Sequence, residues 1–298
     1  MLPFIVGIFA LVQIFFTAAD LYVVWRRGGA PSRDEIWKRE RGKIFLISVF
    51  WLIYFALQTL GVALVPELNG AEGFLRRQFG FAAIPSHIGM IEIAEVTILH
   101  IWTYAVVSFC DYATHRWILH RPWFWLFHEY HHLPRQVYNG MPGISVRPFV
   151  FATTVLTYAG SLIFLWLPLK YLVSSDAGTL FILTLPITVF LLTLVLSIGH
   201  SIWLRPNKKL HLFLKRIGIT TPQEHVLHHS NTHRVNYGNF SCVWDRIFGS
   251  YMDPDLRDLD KEPLGLPYDQ DFLGVLCRGR VKMPAHWRAG LEDYCHFE

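Results

Sequence analysis

The sequence predicts an all-α integral membrane protein, with four to five transmembrane helices carrying a cytosolic, histidine-rich helical cap. Three observations lead there. Of 298 residues, 52% are hydrophobic and only 17% charged, with a mean hydropathy of +0.31; an average soluble protein carries about 25% charged residues. Several apolar windows reach the roughly 20 residues that cross a bilayer core. Histidine is crowded into the segments that follow those windows.

Window 2–25 is apolar except for Gln13, Thr17 and Asp20. It lacks the basic start, short apolar run and cleavage site of a signal peptide, so it reads as a retained span. Window 44–65 has no charge, and windows 149–173 and 179–199 are also long enough to cross. Window 88–109 is apolar but contains Glu92, Glu95 and His100. Ionisable residues inside a span usually face a bundle interior or a wet cavity. These three are therefore candidates for a substrate channel.

Loop 26–43 holds Arg26, Arg27, Arg33, Lys38, Arg39, Arg41 and Lys43, whereas loop 66–87 holds only Arg76 and Arg77. That asymmetry puts 26–43 in the cytosol. With five crossings, residues 110–148 and everything after 199 face the same side, in a bacterial inner membrane or the endoplasmic reticulum. The chain divides into N-terminal spans and loops (1–87), a histidine-bearing region (88–253) and a polar cytosolic tail (254–298). Cys110, Cys242, Cys277 and Cys295 form no CxxC pair and read as free thiols in a reducing compartment. A net charge of +4, with its basic residues beside the spans, suits lipid headgroups and gives no footprint for nucleic acid.

The run HRPWFWLFHEYHH at 120–132 concentrates what composition cannot explain. It supplies His120, His128, His131 and His132, with His115 just upstream. The pattern H-x-x-H-H recurs as His225, His228 and His229. On a helix, positions i, i+3 and i+4 share a face, so the three rings of each triplet can point to one spot. Metal is the usual reason to converge imidazoles. With His200, nine ring donors are too many for one four-ligand centre and suit two adjacent ones with open positions. Isolated His87, His211, His286 and His296 read as solvent-facing. The aromatics between the boxes, Trp123, Phe124, Trp125, Phe127 and Tyr130, suit a bilayer interface, and Trp125 joins the channel candidates.

The boxes His115-x4-His120, His128-x2-His131-His132 and His225-x2-His228-His229, the single His200 between them, and NYGNFSCVWDRIFGSY at 236–251 resemble the fatty acid hydroxylase (sterol desaturase) superfamily. The resemblance covers roughly residues 88–253. It implies a membrane-embedded, O2-dependent centre of two metals, normally two irons, held by those nine histidines. Zinc can take the place of iron in purified protein. It also implies oxidation of a lipid C–H bond, by hydroxylation or desaturation, on a sterol, fatty acyl or ether lipid. Electrons would come from a separate donor such as cytochrome b5, a ferredoxin or a reductase. Some relatives carry a second histidine four residues after the one matching His200; here that residue is Leu204, and His233 is a further candidate ligand.

Around the boxes, Asp111 lies one helical turn before His115 and is placed to accept its distal N–H. Glu224 and Asp245 are candidates for the same supporting layer, Glu129 is expected to face water, and Asn236, Tyr237 and Gly238 read as a turn with Gly238 at positive φ. Rival readings remain. A metal transporter wants ligands near the bilayer midplane, a haem cytochrome wants paired histidines inside spans, and a zinc-dependent membrane lipid hydrolase would use the same rings without O2.

Overall fold

The computed structural model describes residues 2–27, 88–121, 124, 128, 131, 132, 160, 161, 163–165, 167, 168, 171–230, 234–256, 259 and 264. Window 44–65, His87, His286, His296, Cys277 and Cys295 lie outside the described residues. Every described element is helical, and no strand occurs among the described residues; Ser230 and Leu264 form one isolated antiparallel bridge.

Three long helices come first: α1 (Leu2–Arg27), α2 (Met90–Thr114) and α3 (Ser175–Gly199). The stretch Met90–Leu119 and α3 are long and apolar enough to cross a membrane, while the apolar part of α1, Leu11–Val23, is shorter. Polar residues inside these helices are satisfied locally. The hydroxyls of Thr97, Thr103, Thr179 and Thr193 each donate to the carbonyl four residues back, at 2.7–3.0 Å, which keeps them tolerable in an apolar surround. Ile98 and Ile101 on α2 and Ile187 and Leu191 on α3 are exposed. A helix apolar on its outer as well as its inner face suits lipid better than water.

The α2–α3 seam starts with Val96, Leu99, Ala177, Phe181 and Ile182 and ends with Val107 against Val195. Residue numbers rise together along it, so α2 and α3 are parallel. Gln13 donates to Ser197 at 2.9 Å, and Asp20 reaches Ser201 and Trp203, which makes α1 parallel to α3 as well. Helical residues between 160 and 171 run the other way along α2: Gly160 lies against Cys110, and the Phe164 carbonyl accepts the Trp102 indole N–H. The ends of all three parallel helices therefore meet at one end of the molecule.

A compact helical layer covers that end. Asn207 caps α4 (Lys208–Arg216) by accepting the Leu210 N–H at 3.0 Å. Thr221 caps α5 (Pro222–His228), with Pro222 opening the helix and Glu224 completing a capping box. A short α6 (Val243–Ile247) follows, then a 3-10 turn at Pro254–Leu256. The polar tail is tied to the body where it begins: Asp253 and Asp255 pair with Lys215 of α4. Cys110 and Cys242 are buried free thiols.

Candidate metal centre

His115 and His120 come from the end of α2, where the helix loosens into a π-turn over His115–Leu119. Five residues apart is about 140° around a regular α-helix, which would splay the two rings. The wider turn, closed by His120 N–H to the His115 carbonyl, brings them together instead, with ring centroids 5.0 Å apart and planes tilted by 48°.

They join His128, His132 and His228 in a buried group of five whose candidate ligand atoms all lie within 4.8 Å of one another. A second group, within the same limit, is His131, His200 and His225. His229 stands at the junction: its Nε2 is 3.1 Å from His225 Nε2, and its ring centroid is 4.4 Å from those of both His131 and His132. The H-x-x-H-H triplets thus do not each aim at one spot. Within the second box, His128 and His132, one turn apart, go together, while His131 turns to the other group. Helical neighbours are about 100° apart, so adjacent His131 and His132 cannot share a single ion on the same face.

The donor set fits metal. His128 Nε2 lies 2.9 Å from His115 Nε2 and 3.0 Å from His132 Nε2. For metal–nitrogen bonds of about 2.0–2.1 Å, neighbouring donors sit about 2.9 Å apart at a right angle and about 3.4 Å apart at the tetrahedral angle. The observed spacings belong to that range. Tautomers are set as well. His115 Nδ1–H donates to the Tyr237 carbonyl at 2.5 Å, His200 to Leu196 at 2.8 Å and His228 to Val235 at 2.9 Å. Each leaves an Nε2 lone pair facing its group. Burial holds His200 down to about 4 and pushes His225 and His229 well below the ordinary histidine value, so these rings are neutral at pH 7 and free to donate a lone pair. Among the described residues, neither group contains a carboxylate or thiolate.

Carboxylates form the next layer. Asp245 is fully buried and accepts from Tyr237 N–H (2.8 Å), Gly238 N–H (2.9 Å) and the Ser250 hydroxyl (2.8 Å), while burial raises its carboxyl to about 6. It fixes the turn whose Tyr237 carbonyl orients His115. Asp111 does not reach the His115 ring: it accepts from the Asn239 backbone and side-chain N–H groups, both at 3.3 Å, because the Tyr237 carbonyl already occupies His115 Nδ1. Glu224, also fully buried, accepts the Thr221 N–H at 2.9 Å and the Tyr251 hydroxyl at 2.9 Å, so it holds the start of α5 and with it three of the clustered rings.

The turn at 236–238 differs from expectation. Asn236, not Gly238, carries the positive φ, at 54°. Asn tolerates it because its side chain is pinned, donating to Glu224 and Met252 carbonyls and accepting the Met252 N–H. Gly238 is needed for space: a Cβ there would lie 2.1 Å from the Ser241 carbonyl oxygen.

The channel candidates fall at helix ends and seams. Glu92 accepts the Gly89 N–H at the start of α2, and Glu95 accepts the Ser174 N–H and hydroxyl at the start of α3; both are half-buried. His100 bridges α2 to α3 through Thr184 (2.9 Å) and Thr188. Trp125, Glu129 and His233 lie outside the described residues. His211, expected to face solvent, is buried; its Nδ1 bonds the Thr221 hydroxyl at 2.9 Å and its Nε2 is 3.5 Å from Asp255. Its i, i+3 spacing with Leu214 on the inner face of α4 was the available signal.

A family model described as fatty acid hydroxylase matches residues 100–250, more than half of the chain and all nine clustered histidines. No curated protein and no solved structure gives a match.

Proposed function

The chain belongs to the fatty acid hydroxylase family, and from that premise we propose that it is a membrane-bound, O2-dependent oxidoreductase holding two irons. It hydroxylates or desaturates a C–H bond of a lipid such as a sterol, fatty acyl chain or ether lipid. The observation that carries the reading is the pair of adjoining, buried, all-imidazole groups. His115, His120, His128, His132 and His228 would hold one ion, and His131, His200 and His225 the other, with His229 between them. When bound, two redox-active ions supply O2 activation and removal of hydrogen from an unactivated carbon.

The residues themselves bind, orient and exclude water. Carbonyl-anchored Nδ1 atoms keep the rings in the ligating tautomer. Complete burial of His132, His225, His228 and His229 keeps the site dry. Asp245 and Glu224, outside the ligand groups, offset charge that neutral imidazoles leave uncompensated. No side chain is required as general acid or base.

Topology supports the membrane part of the proposal. The parallel order of α1, α2 and α3 supports an odd number of crossings, and on our reading windows 44–65 and 149–173 supply the returns, for five in all. The basic residues of 26–43, which begin at the α1 end shared with the histidines, support our assignment of the boxes to the cytosolic side. Electrons come from a cytochrome b5, ferredoxin or reductase there. The ligand groups stand where α2 and α3 end, which disfavours a transporter with midplane ligands.

Elemental analysis of protein purified in mild detergent tests the reading: about two irons per chain are expected. Lipids supplied with O2 and a reductant should yield a product with one oxygen gained or two hydrogens lost. Product formation without O2 from zinc-loaded protein would replace this reading with a hydrolase.

A further inference from the structure

Helix α4 is turned inside out for a protein in water. Its inner face carries His211 and Leu214, and Lys215 is held by Asp253 and Asp255 at 2.7 and 2.8 Å. Its outer face, Lys209, Leu212, Phe213, Arg216 and Ile217 at i, i+3, i+4, i+7 and i+8 spacing, is apolar in the middle and basic at the edges. Leu212 and Phe213 are each 59% exposed and Ile217 52%. Lys208, Lys209 and Arg216 are exposed too, and the first turn has no acid to balance them.

This face is not isolated. Gly218 (φ 77°) turns the chain so closely under α6 that a Cβ there would meet Val243 at 2.6 Å, and the Ser241 hydroxyl donates to the Gly218 carbonyl at 2.7 Å. On α6, Ile247 is 62% exposed, and Phe248 beyond it packs edge-on against Trp117 at 5.2 Å. Trp117 belongs to the apolar span Met90–Leu119. At the other end, Trp203, in the turn leading to α4, packs edge-on against exposed Phe15 of α1 at 6.2 Å. The outward apolar surface of the spans thus continues on both sides into the layer that carries α4 and α6.

We propose that the outer face of α4, with α6 beside it, lies in the bilayer interface and docks on anionic phospholipid headgroups. Leu212, Phe213 and Ile217 enter the acyl boundary while Lys208, Lys209 and Arg216 meet the phosphates, the arrangement of an interfacial amphipathic helix. The metal-bearing layer is thereby held against the membrane rather than standing in water above it. The inference rests on α2 and α3 lying in a bilayer, so the test reports on that separately.

Nitroxide labels are attached one at a time to Ile98→Cys, Phe213→Cys and Asp255→Cys, in a Cys277→Ser/Cys295→Ser background, in nanodiscs of phosphatidylcholine with or without phosphatidylglycerol. Metal content checks folding of each variant. At position 213, collisions with O2 should exceed those with a water-soluble nickel chelate, as at 98 and opposite to 255. The preference should strengthen with phosphatidylglycerol, and Lys208→Glu/Lys209→Glu/Arg216→Glu should abolish the strengthening. Nickel preference at 213 with O2 preference at 98 overturns the inference and leaves the membrane reading standing. Protection from both reagents at 213 also overturns it, since a protein surface, a second copy or an electron donor, then covers the face. Nickel preference at 98 overturns both.

Discussion

The two imidazole groups touch, yet they are built differently. The first gathers five rings, two of them from a π-turn at the end of α2, and its anchors come from the turn at 236–238 and Asp245. The second gathers three rings, with His200 at the end of α3, and the loop after His200 is held by Asp20 of α1, which accepts from the Ser201 hydroxyl at 2.8 Å and the Trp203 N–H at 3.0 Å. Five donors nearly fill an octahedral shell; three leave about half of one open. On the proposed two-metal reading, that difference gives the groups distinct tasks, one retaining its ion and the other keeping room for a small molecule.

That contrast can be broken. A His128→Ala/His228→Ala variant should lose about one ion per chain and lower turnover by more than about 100-fold, since even outer partners are worth about 10–100-fold. Retention of both ions, read by elemental analysis, would merge the groups into one pool. Sharper tests act one layer out. Asp245→Asn should weaken binding about 10–100-fold at the five-ring group alone. Asp20→Asn should do so at the three-ring group and lower stability by about 1–3 kcal/mol. Chelator competition resolves the two sites, and equal losses at both would erase the asymmetry.

Acid should act on His200. Burial lowers His200 from 6.5 to about 4, so below pH 6.5 the unfolded chain binds more protons than the folded one. Metal-free protein should therefore lose stability as pH falls from 6.5 toward 4 and show no His200 contribution to a slope above 7. Denaturant midpoints at stepped pH check this. The smallest effect comes from Thr221→Ala, about 1 kcal/mol from loss of the cap. Because α5 supplies His228 to one group and His225 to the other, both ions should weaken together in a metal titration.

Spacing made much of this legible. Apolar windows gave α1, α2 and α3, and the repeated H-x-x-H-H pattern marked nitrogen that needed a common partner. What spacing could not show is how triplets divide, because that depends on the rotation of one short helix against another. The π-turn was invisible for a related reason: a one-residue widening leaves no signature in composition. Asp111 and the Asn236–Gly238 turn show competition between acceptors. A backbone carbonyl took the His115 proton, and a pinned Asn carried the strained φ while Gly was reserved for a close approach. Gln13 and Asp20, odd in an apolar window, were readable only as exceptions until their partners on and after α3 appeared.

Those partners bear on inheritance. The family match begins at residue 100, yet the fully buried carboxylate that fastens the loop after His200 comes from residue 20. An exchange of first helices between relatives would succeed only where the incoming helix matched the Ser201–Trp203 receptor. The leading helix, though it lies outside the recognised module, is not a detachable anchor.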